Sequence, residues 1–294
     1  MTEIEEFILT KSHNTEQTKK NYRTQYKSIR ALLDDDINKS SENEILVAVK
    51  TLSNGNVSNE WTYMNLPFMI RQSKGYKTDL IQKRRDELKI LREAHTQTHK
   101  AEKNETLPSM KTIQDFTKQL YKNKEYKKFI VNFLIINYGV RNKDVDCFIV
   151  SSSKDTKDET KNYLIVKSNE VEWRINEYKT LQSYGVKKII IKSKPFMEAI
   201  KSLPLNTWLL TGTSDRLNET GLATTLKRLL YGTTSDKHLT EGDYFKIIMN
   251  DINSKPNTTQ LLEYYSKTRG TDYATLLKYY DVSKKGEILP NDEM

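Results

Sequence analysis

Four polar residues, Arg141, Asn142, Lys143 and Asp144, separate two apolar runs in this chain. "FIVNFLIINYGV" (Phe129–Val140) before them has the pattern of a core helix, and Val145–Val150 after them that of a core strand. A guanidinium at such a handover either begins an ordinary solvated turn or is held rigidly toward an anionic ligand. Other chemistry-bearing residues also have two readings. Lys179 in "INEYKTLQSYGVKKIII" is by itself a solvated hairpin lysine, and Lys246 a surface lysine. Tyr279 and Tyr280 lie on an amphipathic terminal helix, where tyrosines ordinarily pack. "HTQTH" puts His95 and His99 one helical turn apart, but no further Cys or His stands near enough in sequence to complete a metal site. The triplet Asp34–Asp36 fits a polar loop at a helix end, and the lone Cys147 a buried, inert thiol.

The elements that must position these residues follow from periodicity and capping. "TEQTKKNYRTQYKSIRALL" (15–33) is a helix, capped by Asn14 or Thr15, with Tyr22, Tyr26, Ile29 and Leu33 on one face. Further helices are expected at 42–51, at 59–72 with Trp61, Leu66, Met69 and Ile70 as core candidates, and at 78–99. "KAEKNETLPS" then has the polar, aperiodic composition of a linker. Beyond it, helices at 110–122 and 125–138 precede the strand 145–150. "NYLIVK", "VEWRIN" and "KKIIIK" are strands, Pro195 opens a helix, and helices near 220–231, 240–252, 257–267 and 272–280 complete the chain. The expected fold class is mainly α with a small antiparallel β-sheet (α+β). Its parts are a helical domain over 1–100, a linker at 101–108 and a larger domain over 109–294.

Forty-eight Lys and Arg against 39 Asp and Glu leave a net charge of +9, which favours a polyanionic partner. No apolar run is long enough for a transmembrane helix, and "MTEIEEFILT" lacks the basic-then-apolar order of a secretory signal, so an intracellular protein is expected.

Read with its residues, this plan resembles the tyrosine recombinases (integrases), in the divergent form found in large DNA viruses and mobile elements, over nearly the whole chain. "YGVRNKDV" is similar to the family's first box, with Arg141 and Asp144 in the matching places. "INEYKTLQSYGVKKIII" is similar to the family's β-hairpin, whose lysine would be Lys179. "RGTDYATLLKYYDV" has the glycine and terminal tyrosine of the last box, so Tyr280 would be the nucleophile, with Tyr279 its alternative. The second box, histidine and arginine three apart, falls on Asp243 and Lys246, and the histidine or tryptophan nine residues before the tyrosine falls on Thr271.

What the resemblance implies is a helical core-binding domain and a catalytic domain that clamp double-stranded DNA. The resemblance implies no cofactor, metal, membrane or small-molecule substrate, and leaves room for a homo-oligomer on the DNA. The tyrosine oxygen attacks a phosphodiester and forms a 3′-phosphotyrosine. Arg141 would be one jaw of a phosphate clamp, and Lys179 would assist proton transfer to the leaving 5′-oxygen. Lys246 keeps the charge of the second arginine without its bidentate fork. The substitutions at Asp243, Lys246 and Thr271 leave open an inactive descendant that binds or organises DNA, as a viral structural or accessory component. A type IB topoisomerase, using similar groups, is a third reading.

Overall fold

The structure, a computed structural model, describes residues 2–11, 14–233, 237–256 and 258–280; the side chains at 95–105, 219, 233, 237 and 277–280 lie outside the described residues. The chain divides into two compact units, Met1–Lys103 and Asn104–Met294.

The first unit is helical: α1 (Glu3–Leu9), α2 (Glu16–Arg30), α3 (Glu42–Ser53), α4 (Val57–Ser73) and α5 (Asp79–Glu105). Polar side chains start α2, α3 and α4. Thr15 accepts from the Thr18 amide at 3.2 Å, Ser41 and Glu44 close a capping box, and Asn56 accepts from the Asn59 amide. Ile29, Ile37, Ile45, Val49, Leu66 and Ile70 form the core with Phe7 from α1. Two expected core residues lie at its margin: Met69 only packs against it, and half-buried Trp61 lies under the Arg92 guanidinium, 4.5 Å from the ring centroid. Helix α5 runs into the stretch whose composition suggests a linker, because Lys, Ala and Glu favour the helix where no proline or glycine stops it.

The second unit begins with α6 (Met110–Lys122) and α7 (Tyr126–Tyr138), then a 3₁₀ turn at Asn142–Val145 and β1 (Cys147–Val150). There follow β2 (Asn162–Val166), β3 (Val171–Ile175), the short α8 (Leu181–Tyr184), β4 (Lys187–Ile191), α9 (Lys194–Lys201) and β5 (Thr207–Trp208). Then come α10 (Glu219–Leu229), β6 (Gly232–Thr233), β7 (Lys237–His238), α11 (Glu241–Asn253), α12 (Thr258–Arg269) and α13 (Tyr273–Tyr280). The fold is α+β, mainly helical, with a five-stranded sheet in the order β4-β3-β2-β1-β5.

All its pairs are antiparallel except β1 with β2, which run parallel with Cys147 opposite Asn162. The polar connection 151–161 is long enough to carry the chain back to the starting end of β1, which a tight turn could not do. Ile149, Leu164 and Trp173 meet α7 and α9 residues such as Leu134, Phe196 and Ile200 in one core. Buried Cys147 accepts from the Trp173 indole at 3.1 Å and donates to the Asp144 carbonyl at 3.2 Å; burial pushes its thiol pKa well up. No helix among the described residues is long and apolar enough to cross a membrane.

Candidate functional site

Helix α7 stops at Gly139, whose φ of 61° is left-handed. A Cβ there would meet the Tyr265 ring at 2.6 Å and the Phe245 ring at 2.7 Å, so only glycine serves both the turn and the close approach of α11 and α12. The chain then extends through Arg141, whose amide donates to Asp144 Oδ2 at 3.0 Å. This bond closes the 3₁₀ turn and fixes where the guanidinium leaves the backbone. Asp144 is fully buried, and its other oxygen has no hydrogen-bond partner among the described residues. Burial pushes its pKa up to about 6, against the opposing pull of the Arg141 amide and the nearby cations Lys187, Arg141 and Arg269.

The Arg141 fork is turned on the loop between α12 and α13. Nη1 donates to the Arg269 carbonyl and Nη2 to Thr271 Oγ1, each at 2.6 Å. That loop is a helix C-cap: Gly270 has φ 63°, its amide donates to the Lys267 carbonyl, and the Thr271 amide donates to the Ser266 carbonyl. Asp272 then caps α13 by accepting from the Thr275 amide at 2.9 Å. Tyr279 and Tyr280 end α13, and their side chains lie outside the described residues. His95 and His99 lie on α5, with their side chains likewise outside them.

The β3–β4 hairpin reaches the same loop. Its base is fixed by buried Asn162, which donates to the Lys143 and Glu177 carbonyls and accepts from the Asn176 and Glu177 amides. Glu177 also accepts from Lys143 Nζ at 2.9 Å and from Arg216 at 2.8 Å, while Arg216 Nε donates to Asp146 at 2.8 Å. These two bonds hold the Glu177 pKa down against the upward push of burial. Lys179 is exposed. Next to it Thr180 donates to the Gly270 carbonyl at 2.8 Å, so Lys179 stands one residue from a contact with the loop that Arg141 grips.

The second-box positions open α11. Thr240 accepts from the Asp243 amide, and Asp243 Oδ2 accepts from the Thr240 amide at 3.0 Å and hydroxyl at 2.8 Å. Asp243, 4% exposed, thus serves a capping box. Lys246 follows one turn later, half-buried. Thr271 is buried, its hydroxyl accepting from Arg141.

Two residues with no role assigned in the sequence are central here. Arg269, 3% exposed, donates to the Gly139 carbonyl at 2.7 Å and stacks 3.9 Å above the Phe245 ring. Its Nη1 also lies 2.6 Å from Glu241 Oε1, a charge contact off the line of a hydrogen bond. Lys187 donates to the Thr268 carbonyl at 2.9 Å and lies 4.0 Å from the Tyr178 ring centroid. The signal for Arg269 was its place just before a helix-ending glycine; nothing local separates Lys187 from Lys188.

No protein-family model matches the chain, and no curated protein matches it by sequence. Among solved structures, it is similar to one described as the crystal structure of XerA recombinase, at 10% identity and a TM-score of 0.36, over 95% of this chain and 92% of that one. A likeness at this level assigns neither activity nor partner.

Proposed function

We propose that the chain binds double-stranded DNA and acts on its phosphates in the manner of a tyrosine recombinase, Tyr280 forming a 3′-phosphotyrosine. Residues 1–100 would help clamp the duplex, and 109–294 would carry the chemistry. The observation that supports this best is the convergence of Arg141, the Lys179 hairpin and the 268–271 loop, which runs directly into the helix ending on Tyr279 and Tyr280. Turned from the Arg269 carbonyl and Thr271 toward DNA, the Arg141 guanidinium would neutralise a phosphodiester and the extra charge of its transition state. The second reading is an inactive DNA-binding descendant. Two observations favour it: the Asp243 carboxylate is committed to a helix cap, and the Thr271 hydroxyl to Arg141, where proton-transfer groups would be wanted.

A nicked suicide duplex separates the two, because a covalent adduct accumulates once the short leaving strand diffuses away. An adduct on a denaturing gel that Tyr280→Phe abolishes, with DNA affinity kept, supports the first reading. If Tyr279→Phe abolishes it instead, Tyr279 is the nucleophile. Salt-sensitive DNA binding with no adduct supports the second reading, and no binding at low salt rejects both.

A further inference from the structure

Three consecutive carbonyls at the end of α12 accept from side chains of two separate parts of the unit. Thr268 accepts from Lys187, Arg269 from Arg141 and Gly270 from Thr180. Arg141 comes from the turn after α7, whereas Lys187 and Thr180 both belong to the β3–β4 hairpin that carries Lys179. The fit at Lys187 is close: a Cβ on Gly270 would lie 2.9 Å from its Nζ and 2.5 Å from Thr180 Oγ1.

We propose that Lys187 is a positioning residue, whose ammonium clasps the β3–β4 hairpin to the loop leading into α13. Its consequence for chemistry rests on the reading given under Proposed function; the clasp itself does not.

A lysine suits this place for two reasons. Its charge faces the C-terminal end of α12, where helix carbonyls gather negative potential, and its bond to Thr268 is charge-assisted. Its four-carbon stem lets β4 stand back from the loop while the amine still reaches it. Thr180 alone would hold the hairpin through one neutral hydroxyl.

Burial of Lys187, together with the groups that face it, makes the clasp sensitive to pH. From the turn come Asp144 and Arg141, from the hairpin the Tyr178 and Tyr184 rings, and from α12 the Thr268 carbonyl. Burial pushes the Lys187 pKa down to about 8; Asp144 opposes this and Arg141 adds to it. The Tyr178 pKa is pushed up, mainly by burial, so its phenol stays neutral through that range. The ammonium is therefore present below pH 8 and lost as pH rises through 8, and the clasp loosens with it.

Hydrogen exchange of the full-length protein tests this with or without catalysis. In Lys187→Met at pH 7, amides at 179–186 should exchange roughly tenfold faster than in the wild type. Lys187→Arg, which stays charged, should restore protection. Wild-type protection should fall selectively in this segment between pH 7 and 9, after correction for intrinsic exchange, and Lys187→Arg should abolish that loss. Where the wild type forms an adduct, its rate should fall over the same range and stay level in Lys187→Arg. Unchanged hairpin exchange in Lys187→Met overturns the clasp, whatever the adduct assay gives. A wild type without adduct, with hairpin exchange responding as described, rejects the catalytic reading and leaves the clasp standing.

Discussion

Arg269 is buried too deeply to serve a ligand, and its work is internal. It satisfies the Gly139 carbonyl and neutralises Glu241, whose side chain is 13% exposed. Arg269→Met would leave that carboxylate without its cation and that carbonyl without its donor. The expected loss is about 3–5 kcal/mol, read from the denaturant midpoint. Replacing both Arg269 and Glu241 by apolar residues should recover part of it, because no unpaired charge then stays buried. Asp144 gives a prediction in pH. Its pKa rises from 3.8 to about 6 on folding, so the native state binds its proton more tightly than the unfolded chain. The associated stability is present in full below about pH 4 and lost as pH rises through 6, to a limit of about 3 kcal/mol. Asp144→Asn should remove this dependence. The check is the difference between wild-type and Asp144→Asn unfolding free energies from pH 4 to 7, in which the other carboxylates cancel.

The elements of the site were legible to different depths. Helices α6 and α7 lie where apolar periodicity and the Gly139 stop put them, because the pattern that buries a helix face is written locally. The parallel pairing of β1 with β2 was not legible, since strand direction depends on where the chain returns and not on the strand's own residues. Helix α1 has no local signature for a related reason: Ile4, Phe7 and Ile8 are too few to set a period until α2 and α4 cover them. At α11 the spacing of Asp243 and Lys246 matches a catalytic box, and the Asp243 carboxylate closes a capping box that spacing alone does not reveal. Asp243→Ala should therefore lower stability by about 1 kcal/mol, measured by thermal unfolding, and leave duplex affinity within twofold. A loss of DNA binding without a loss of stability would show that the carboxylate serves the ligand after all. Arg141 was legible as a charged residue at a core boundary; its partners, nearly 130 residues away, were not.

At the scale of the whole molecule the charge of +9 favours a polyanionic partner, and the proposed duplex presents phosphates densely and regularly. Affinity for a duplex should then fall linearly on a plot of log K against log salt, with a slope set by the number of phosphates neutralised. Contacts to six to ten phosphates would cost roughly a thousand- to a hundred-thousandfold in affinity between 50 and 200 mM salt. On the proposed function, Arg141→Ala should weaken binding alike for unrelated sequences and make the slope shallower by about 1, the loss of one phosphate contact and no base contact. Lys188→Ala is the control: this lysine is exposed, adjacent in sequence to Lys187 and outside the 268–271 cluster, so its removal should change the slope less. A fluorescence-anisotropy titration at four or five salt concentrations measures both slopes. Equal slopes for Arg141→Ala and the wild type would mean that its guanidinium never leaves the Arg269 carbonyl and Thr271 for a phosphate. Arg141 would then be part of the scaffold, like Arg269.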